Sequence, residues 1–190
     1  MKRTVLILLC AAVLLSGCAR EPAYPADWLP EWTVICPLLA AEPVEGYELL
    51  ETNDALAAEG IYYAAWSSGE ARAHTNEDGE EAKVYDAQIY LIVKQCRSAE
   101  KAEEETHKWQ GLERENYTLG PERTMEPSGQ KFTAVPLLQG KQTNPYSFGM
   151  AAFAVRGDWA ICVELVCVRG HEEDPGAVME AFLKGLHYSE

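Results

Sequence analysis

The chain has 190 residues, with 16 Lys plus Arg against 30 Asp plus Glu, a formal net charge of −14. Such a surface repels phosphate backbones and anionic headgroups, so nucleic acid is excluded as an expected partner, as is membrane contact made through charge. The length suffices for one domain with a real core.

The first element is an address. Lys2 and Arg3 precede an apolar run from Val5 to Leu15. A run of 11 residues is too short to cross a bilayer stably, which takes roughly 20, so a cleaved signal is favoured over an anchor helix. Leu15-Ser16-Gly17-Cys18 follows, with small residues just before the cysteine. This pattern resembles the signal peptide and lipobox of bacterial lipoproteins, and the resemblance covers residues 1–18 alone. It implies that residues 1–17 are removed and that the Cys18 thiol carries a diacylglycerol thioether. Palmitate-type acyl chains would then hold the product at the extracytoplasmic face of the cell membrane, or at an outer membrane in a diderm. Two or more chains anchor firmly where one holds marginally. Cleavage would also remove Lys2 and Arg3, leaving 14 Lys plus Arg against 30 Asp plus Glu, a net −16.

Residues 18–30 read as a lipidated tether, because Pro22, Pro25 and Pro30 disfavour helix. At about 3.1 Å per residue it would lift the domain on the order of 35 Å from the membrane. Trp28 and Trp32 stand where the tether meets the fold, either packing as a lid or resting at the lipid interface. The apolar run from Val34 to Ala41 favours packing.

Residues 31–190 predict a single α+β domain: an antiparallel sheet with helices on one face, built from two β-hairpin-plus-helix halves. In the first half, strands at Ile61–Trp66 and Val84–Lys94 flank the turn signal Asn76-Glu77-Asp78-Gly79, and a helix runs from Ser98 to about Tyr117. Tyr47–Thr52 is a candidate third strand, with Asn53–Glu59 a possible short helix. In the second half, Met150–Arg156 and Trp159–Val168 flank Gly157-Asp158, and a helix runs from Asp174 to about Tyr188. Phe132–Leu138 precedes them as a strand that Pro136 places at an edge.

Alternation assigns faces. Tyr85, Ala87, Ile89, Leu91 and Val93 should be core, as should Trp159, Ile161, Val163, Leu165 and Cys167. The opposite set on the last strand, Ala160, Cys162, Glu164, Val166 and Val168, is mixed and expected to be half exposed. On the first helix, Ala99, Ala102, Thr106, Trp109 and Leu112 form the apolar stripe beneath a Ser98 cap, and Glu104 stands four residues before Lys108. On the second, Val178, Phe182 and Leu186 share a side behind an Asp174-Pro175 start.

Chemical motifs are scarce. His171-Glu172 lacks the second histidine of a zinc-protease helix, Gly140-Lys141 lacks the phosphate-loop pattern, and no G-x-S-x-G elbow occurs. His74, His107, His171 and His187 read as surface residues, the last as charge at a helix C-terminus. The acid-rich 76–81 and 171–174 read as turn and cap rather than calcium loops. No metal, cofactor or catalytic residue is assigned. Cys162 and Cys167, on one strand, point to opposite faces and cannot bridge; one disulfide among Cys36, Cys96 and Cys162 stays open. Tyr62, Ala64 and Trp66 alternate on one strand, and Tyr90 and Ile92 lie on the less apolar face of another. Tyr62, Trp66 and Tyr90 are therefore the candidate binding surface.

These observations predict a lipid-anchored extracytoplasmic protein whose domain binds an envelope protein or small ligand without catalysis. The alternatives are an envelope hydrolase without a linear motif and a structural accessory of an envelope complex.

Overall fold

In a computed structural model the described residues are 25, 28–75, 81–141 and 144–189. The lipobox with Cys18, most of the tether and the turn at 76–79 lie outside them.

The chain opens with β1 (Thr33–Cys36) and β2 (Leu39–Ala41), then runs through β3 (Glu48–Asn53), a 3₁₀ turn at Ala57–Glu59 and β4 (Ile61–Ser68). A ribbon of β5 (Arg72–Thr75) and β6 (Glu81–Val84) leads to β7 (Ala87–Gln95) and α1 (Ala99–Asn116). Short β8 (Tyr117–Leu119) and β9 (Arg123–Met125) precede β10 (Phe132–Gly140), β11 (Tyr146–Arg156) and β12 (Trp159–Val168). The chain ends with α2 (Pro175–Lys184) and β13 (Leu186–Tyr188). The protein is α+β, with strand predominating.

The main sheet is antiparallel in the order β3-β4-β7-β12-β11-β10-β8, with β9 also on β10. Two three-stranded meanders thus meet at the β7–β12 pair, where Leu91 stands opposite Val163. The second expected hairpin is present, and β4 pairs with β7 as the first required, but the β5-β6 ribbon stands between those two strands and the expected strand from Val84 is broken at Tyr85-Asp86. Arg156 pairs with Trp159, so Gly157 and Asp158 form a two-residue turn, and Gly157 adopts φ 60, which a side chain would resist. Pro136 is not at an edge. It pairs with Met150 of β11 while its other side faces the gap between β8 and β9, so its missing N–H leaves no ladder bond unmade.

The expectation of both helices on one face is overturned. The odd-numbered set of β12, from Ile161 to Cys167, packs with Met179, Phe182 and Leu183 of α2 and with Ile35, Leu39 and Leu186 of the small β1-β2-β13 sheet. The even-numbered set, with Cys162 and Val166, packs with Val135, Phe153 and Trp109 of α1 on the opposite face. Ala160, Cys162 and Val166 are therefore buried rather than half exposed. A two-fold relation between the meanders would put both helices on one side; the repeat stops at the strands because each apolar face demands its own cover.

The helices differ from expectation in detail. Ser98 Oγ caps α1 by accepting from Lys101 N at 3.3 Å, as its sequence implied. The buried stripe is Ala102, Thr106, Gln110 and Glu113, leaving Leu112 53% exposed. Lys108 reaches Glu105 rather than Glu104. In α2, Asp174 accepts from Gly176 N at 3.0 Å, and the helix stops at Lys184 instead of running to Tyr188. Leu186, His187 and Tyr188 instead pair with β2, and His187 stacks on Trp32 and meets Glu42 at 2.7 Å. Trp32 therefore packs on the domain, and His187 answers a carboxylate rather than a helix end. Cys36, Cys96, Cys162 and Cys167 are free thiols.

Packing at the sheet centre is close. A Cβ at Gly149 would overlap the Leu165 carbonyl oxygen, so Gly149→Ala should cost about 1–3 kcal/mol by overpacking. Trp66, 2% exposed and edge-on to Phe182 of α2, should cost about 3–5 kcal/mol as Trp66→Ala. Urea denaturation of each variant checks both.

Candidate functional site

The three aromatic residues singled out in the sequence do not share a surface. Trp66 stands opposite Ile89, and Tyr62 opposite Val93, both on the α2 face. There Trp66 is core and Tyr62 packs towards Trp159, with ring centroids 6.1 Å apart. Tyr90 lies on the other face, because its register partner on β4 is Ala65. Trp66 is thus corrected from binding residue to core residue, and Tyr62 is separated from Tyr90 by the sheet. The one-residue alternation of a strand makes this separation absolute.

The true neighbour of Tyr90 is Tyr63, whose ring stacks with it at 6.1 Å and 25°. Both rings are half-buried on the face that α1 covers over β11 and β12. Tyr90 Oη donates to Gln88 Oε1 at 2.7 Å, and Tyr146 Oη donates to the same oxygen. Asn144 Nδ2 donates to Tyr117 Oη at 2.9 Å, and Asn144 Oδ1 accepts from Tyr146 N at 2.9 Å. The phenol groups are therefore committed to one another and to two amides. Burial pushes the Tyr63 phenol up to about 12, with Glu51 and Glu164 adding to the rise. The Tyr90 and Tyr117 phenols are also raised, by burial first. All are neutral donors at physiological pH.

Beside them sits the least expected feature, a pair of glutamates. Glu164 projects from the centre of β12, opposite Tyr90, and is half-buried. Glu113 descends from α1 and is 8% exposed, and its Oε2 is buried with no hydrogen-bond partner among the described residues. Desolvation pushes Glu113 up to about 7. Desolvation pushes Glu164 up to about 8, and the Glu113 charge adds to the rise. Two carboxyls in one apolar recess cannot both ionise cheaply, so near neutral pH they retain a proton between them. Sequence reasoning placed Glu164 in a mixed strand face without assigning it a role. The available signal was an acid inside the run Trp159–Val168, and an acid at position 113 in register with Ala102 and Thr106.

Other titratable groups do not assemble. His171 Nε2 meets Glu173 at 3.2 Å in a loop, while His107 and His74 stand on α1 and β5. Among the described residues no group of three His, Cys, Asp or Glu is placed to hold a metal ion. Surface hollows of about 360–580 Å³ are open and lined by other residues, such as Arg123 and Asp174 in one and Gln110 and Phe153 in another. Among the described residues no helix is long and apolar enough to cross a membrane.

No family model and no curated protein sequence matches the chain. Among solved structures, it is similar to a crystal structure from Bacteroides thetaiotaomicron, with 9% identity and a TM-score of 0.41 over 85% of this chain. The chain spans about half of that protein, 50% of its length. A second similarity is to the solution structure of cyanobacterial PsbP from Synechocystis, with 6% identity and a TM-score of 0.39, over 77% of this chain and 95% of that one.

The carboxyl pair should leave a pH signature in stability. Both groups have folded pKa values raised above the ordinary 4.5, so the native state holds more protons than the unfolded chain between roughly pH 5 and pH 8, and stability falls as pH rises through that window. Glu164→Gln removes one of the two titrations. Its denaturation midpoint should gain on the parent at pH 8 relative to pH 5, as urea melts across the window will report. A pH dependence identical to the parent's would contradict the raised pair.

Proposed function

We propose that this chain is a lipid-anchored extracytoplasmic lipoprotein of the bacterial cell envelope whose domain binds a partner there without catalysing a reaction. The location rests on the lipobox pattern ending in Cys18 and on the acidic surface, which leaves acyl chains as the source of membrane affinity. The binding role rests on one observation above all: the stacked, half-buried Tyr63 and Tyr90 beside Glu164 on the sheet face that α1 borders. Partly exposed aromatic rings suit recognition, since they offer contact area at little cost in conformational entropy.

Two nearby carboxyls are also the raw material of a hydrolase. The geometry favours binding, because Glu113 is sealed beneath the helix and the open hollows are lined elsewhere. A general acid must reach the atom it protonates.

Two measurements test the proposal in the native host. Feeding an alkyne analogue of palmitate should label the parent, while Cys18→Ala should lose the label and leave the membrane fraction; retention of either would refute the anchor. A photo-crosslinking residue in place of partly exposed Tyr63 should give a discrete adduct on intact cells, and the same residue at exposed Leu138 should not. Absence of any adduct at position 63 would refute the binding surface.

A further inference from the structure

The two ends of the main sheet are guarded differently. At one end β8 and β9 are strands of 3 residues each, set on either side of Pro136. Short strands and proline are ordinary protection against edge pairing. At the other end β3 runs for 6 residues, all of them exposed, with β4 as its neighbour on one side and no described strand on the other. In an antiparallel pair, alternate residues direct their N–H and C=O groups away from the neighbour, so β3 presents an open ladder. Among the described residues no backbone hydrogen bond takes those groups up.

Side chains on this edge sort by face. Leu49 stands opposite Trp66 and Thr52 opposite Ala64, which places both on the α2 face. Glu48 stands opposite Ser67 and Glu51 opposite Ala65, on the α1 face. Asn53 stands opposite Tyr63, so the acidic side of the edge runs on into the surface of Tyr63 and Tyr90. Leu49 is 47% exposed and Leu50 40% exposed, which leaves apolar area open along the same strand. Between Arg20 and Arg72 the chain has no lysine or arginine. Glu42 meets His187, but Glu48 and Glu51 join no ion pair among the described residues.

These features select an occupant. A second copy of the chain would bring the same glutamates to the same edge under a net charge of −14. The chain's own residues 18–30 include Pro22, Pro25 and Pro30, which cannot donate to a ladder. A basic strand meets neither obstacle, because the glutamates that turn away an acidic strand attract it and opposite charges stabilise a strand pair. We infer that β3 accepts an added strand from a partner protein, an extended segment that sets lysine or arginine beside Glu48 and Glu51 and apolar residues beside Leu49. This rests on the partner-binding reading above and names how the partner attaches. Backbone hydrogen bonds to β3 hold the segment, and its alternation supplies the selectivity.

The test uses the full-length protein in detergent micelles and the peptide acetyl-Lys-Val-Lys-Val-Lys-Val-amide, with the corresponding Glu-Val peptide as control. Two further Lys-Val peptides carry backbone N-methyl groups, one on all its lysines and the other on all its valines. In amide-resolved hydrogen exchange, the outward amides of residues 48–53 should exchange rapidly in the free protein. Saturating Lys-Val peptide should slow them at least tenfold and leave β10 unchanged. One N-methylated peptide should keep this effect and the other lose it, since a strand bonds one neighbour through alternate residues. Glu51→Lys, shown folded by circular dichroism, should weaken the Lys-Val peptide about tenfold and favour the Glu-Val peptide, while Glu115→Lys at an exposed site on α1 should do neither. No slowing at millimolar peptide, equal effects of the Lys-Val and Glu-Val peptides, or indifference to both N-methylation patterns would overturn the inference. Slow exchange of every β3 amide in the free monomer would assign the edge to the chain's own tether, and a dimer in sedimentation with β3 protected would assign it to a second copy; either result overturns the partner strand. An adduct from position 63 on intact cells without strand addition at β3 would leave partner binding standing and remove only this mode of attachment.

Discussion

The structure depends on β12 being apolar on both of its faces. A central antiparallel strand with Ile161, Val163 and Leu165 on one side and Cys162 and Val166 on the other cannot leave either side in water. Burial at about 25 cal/mol per Å² makes covering both faces the dominant gain. One helix goes to each face, and the small β1-β2-β13 sheet completes the cover on the α2 side. The arrangement of the remaining chain follows from that requirement.

The cover supplied by α1 is unusual in its chemistry. Its buried stripe is Ala102, Thr106, Gln110 and Glu113, three of them polar. Gln110 finds a partner in Glu122 at 2.6 Å, and Thr106 bonds back to the Glu103 carbonyl at 2.9 Å. Glu113 finds none for its Oε2 among the described residues. A helix selected only for stability would replace that carboxyl with an apolar group, because an unsatisfied buried oxygen costs about 1–3 kcal/mol. Its electrostatic coupling to Glu164 is a local inconsistency in an otherwise well-packed face.

Legibility followed the range of the interaction that decides each feature. The hairpin at Gly157-Asp158, the Ser98 and Asp174 caps and the α1 span were readable because neighbours in sequence create them. Of the set expected in the core, Ala87, Ile89, Leu91 and Val93 were readable by alternation, whereas Tyr85 lies ahead of β7 and is only partly buried, and Gln88 of the opposite set is buried as well. The end of α2 was not readable, since the helical spacing of Leu186 is also the spacing at which it meets Ala41 across a ladder. The candidate surface failed for a related reason: alternation sorts residues within one strand, and only cross-strand register tells which sets of two strands share a face.

By itself, then, the amino-acid sequence determined the long central strands, the α1 span, both helix caps, the Gly157-Asp158 turn, the α+β class and the acidic balance, because these arise from local backbone preference and composition. Tertiary structure decided which faces the helices cover, that Tyr90 stands with Tyr63 rather than with Tyr62 and Trp66, and that the Glu113 charge acts on Glu164. Those outcomes belong to interactions between residues 27 and 51 positions apart along the chain. Such interactions exist only once both faces of β12 have been buried.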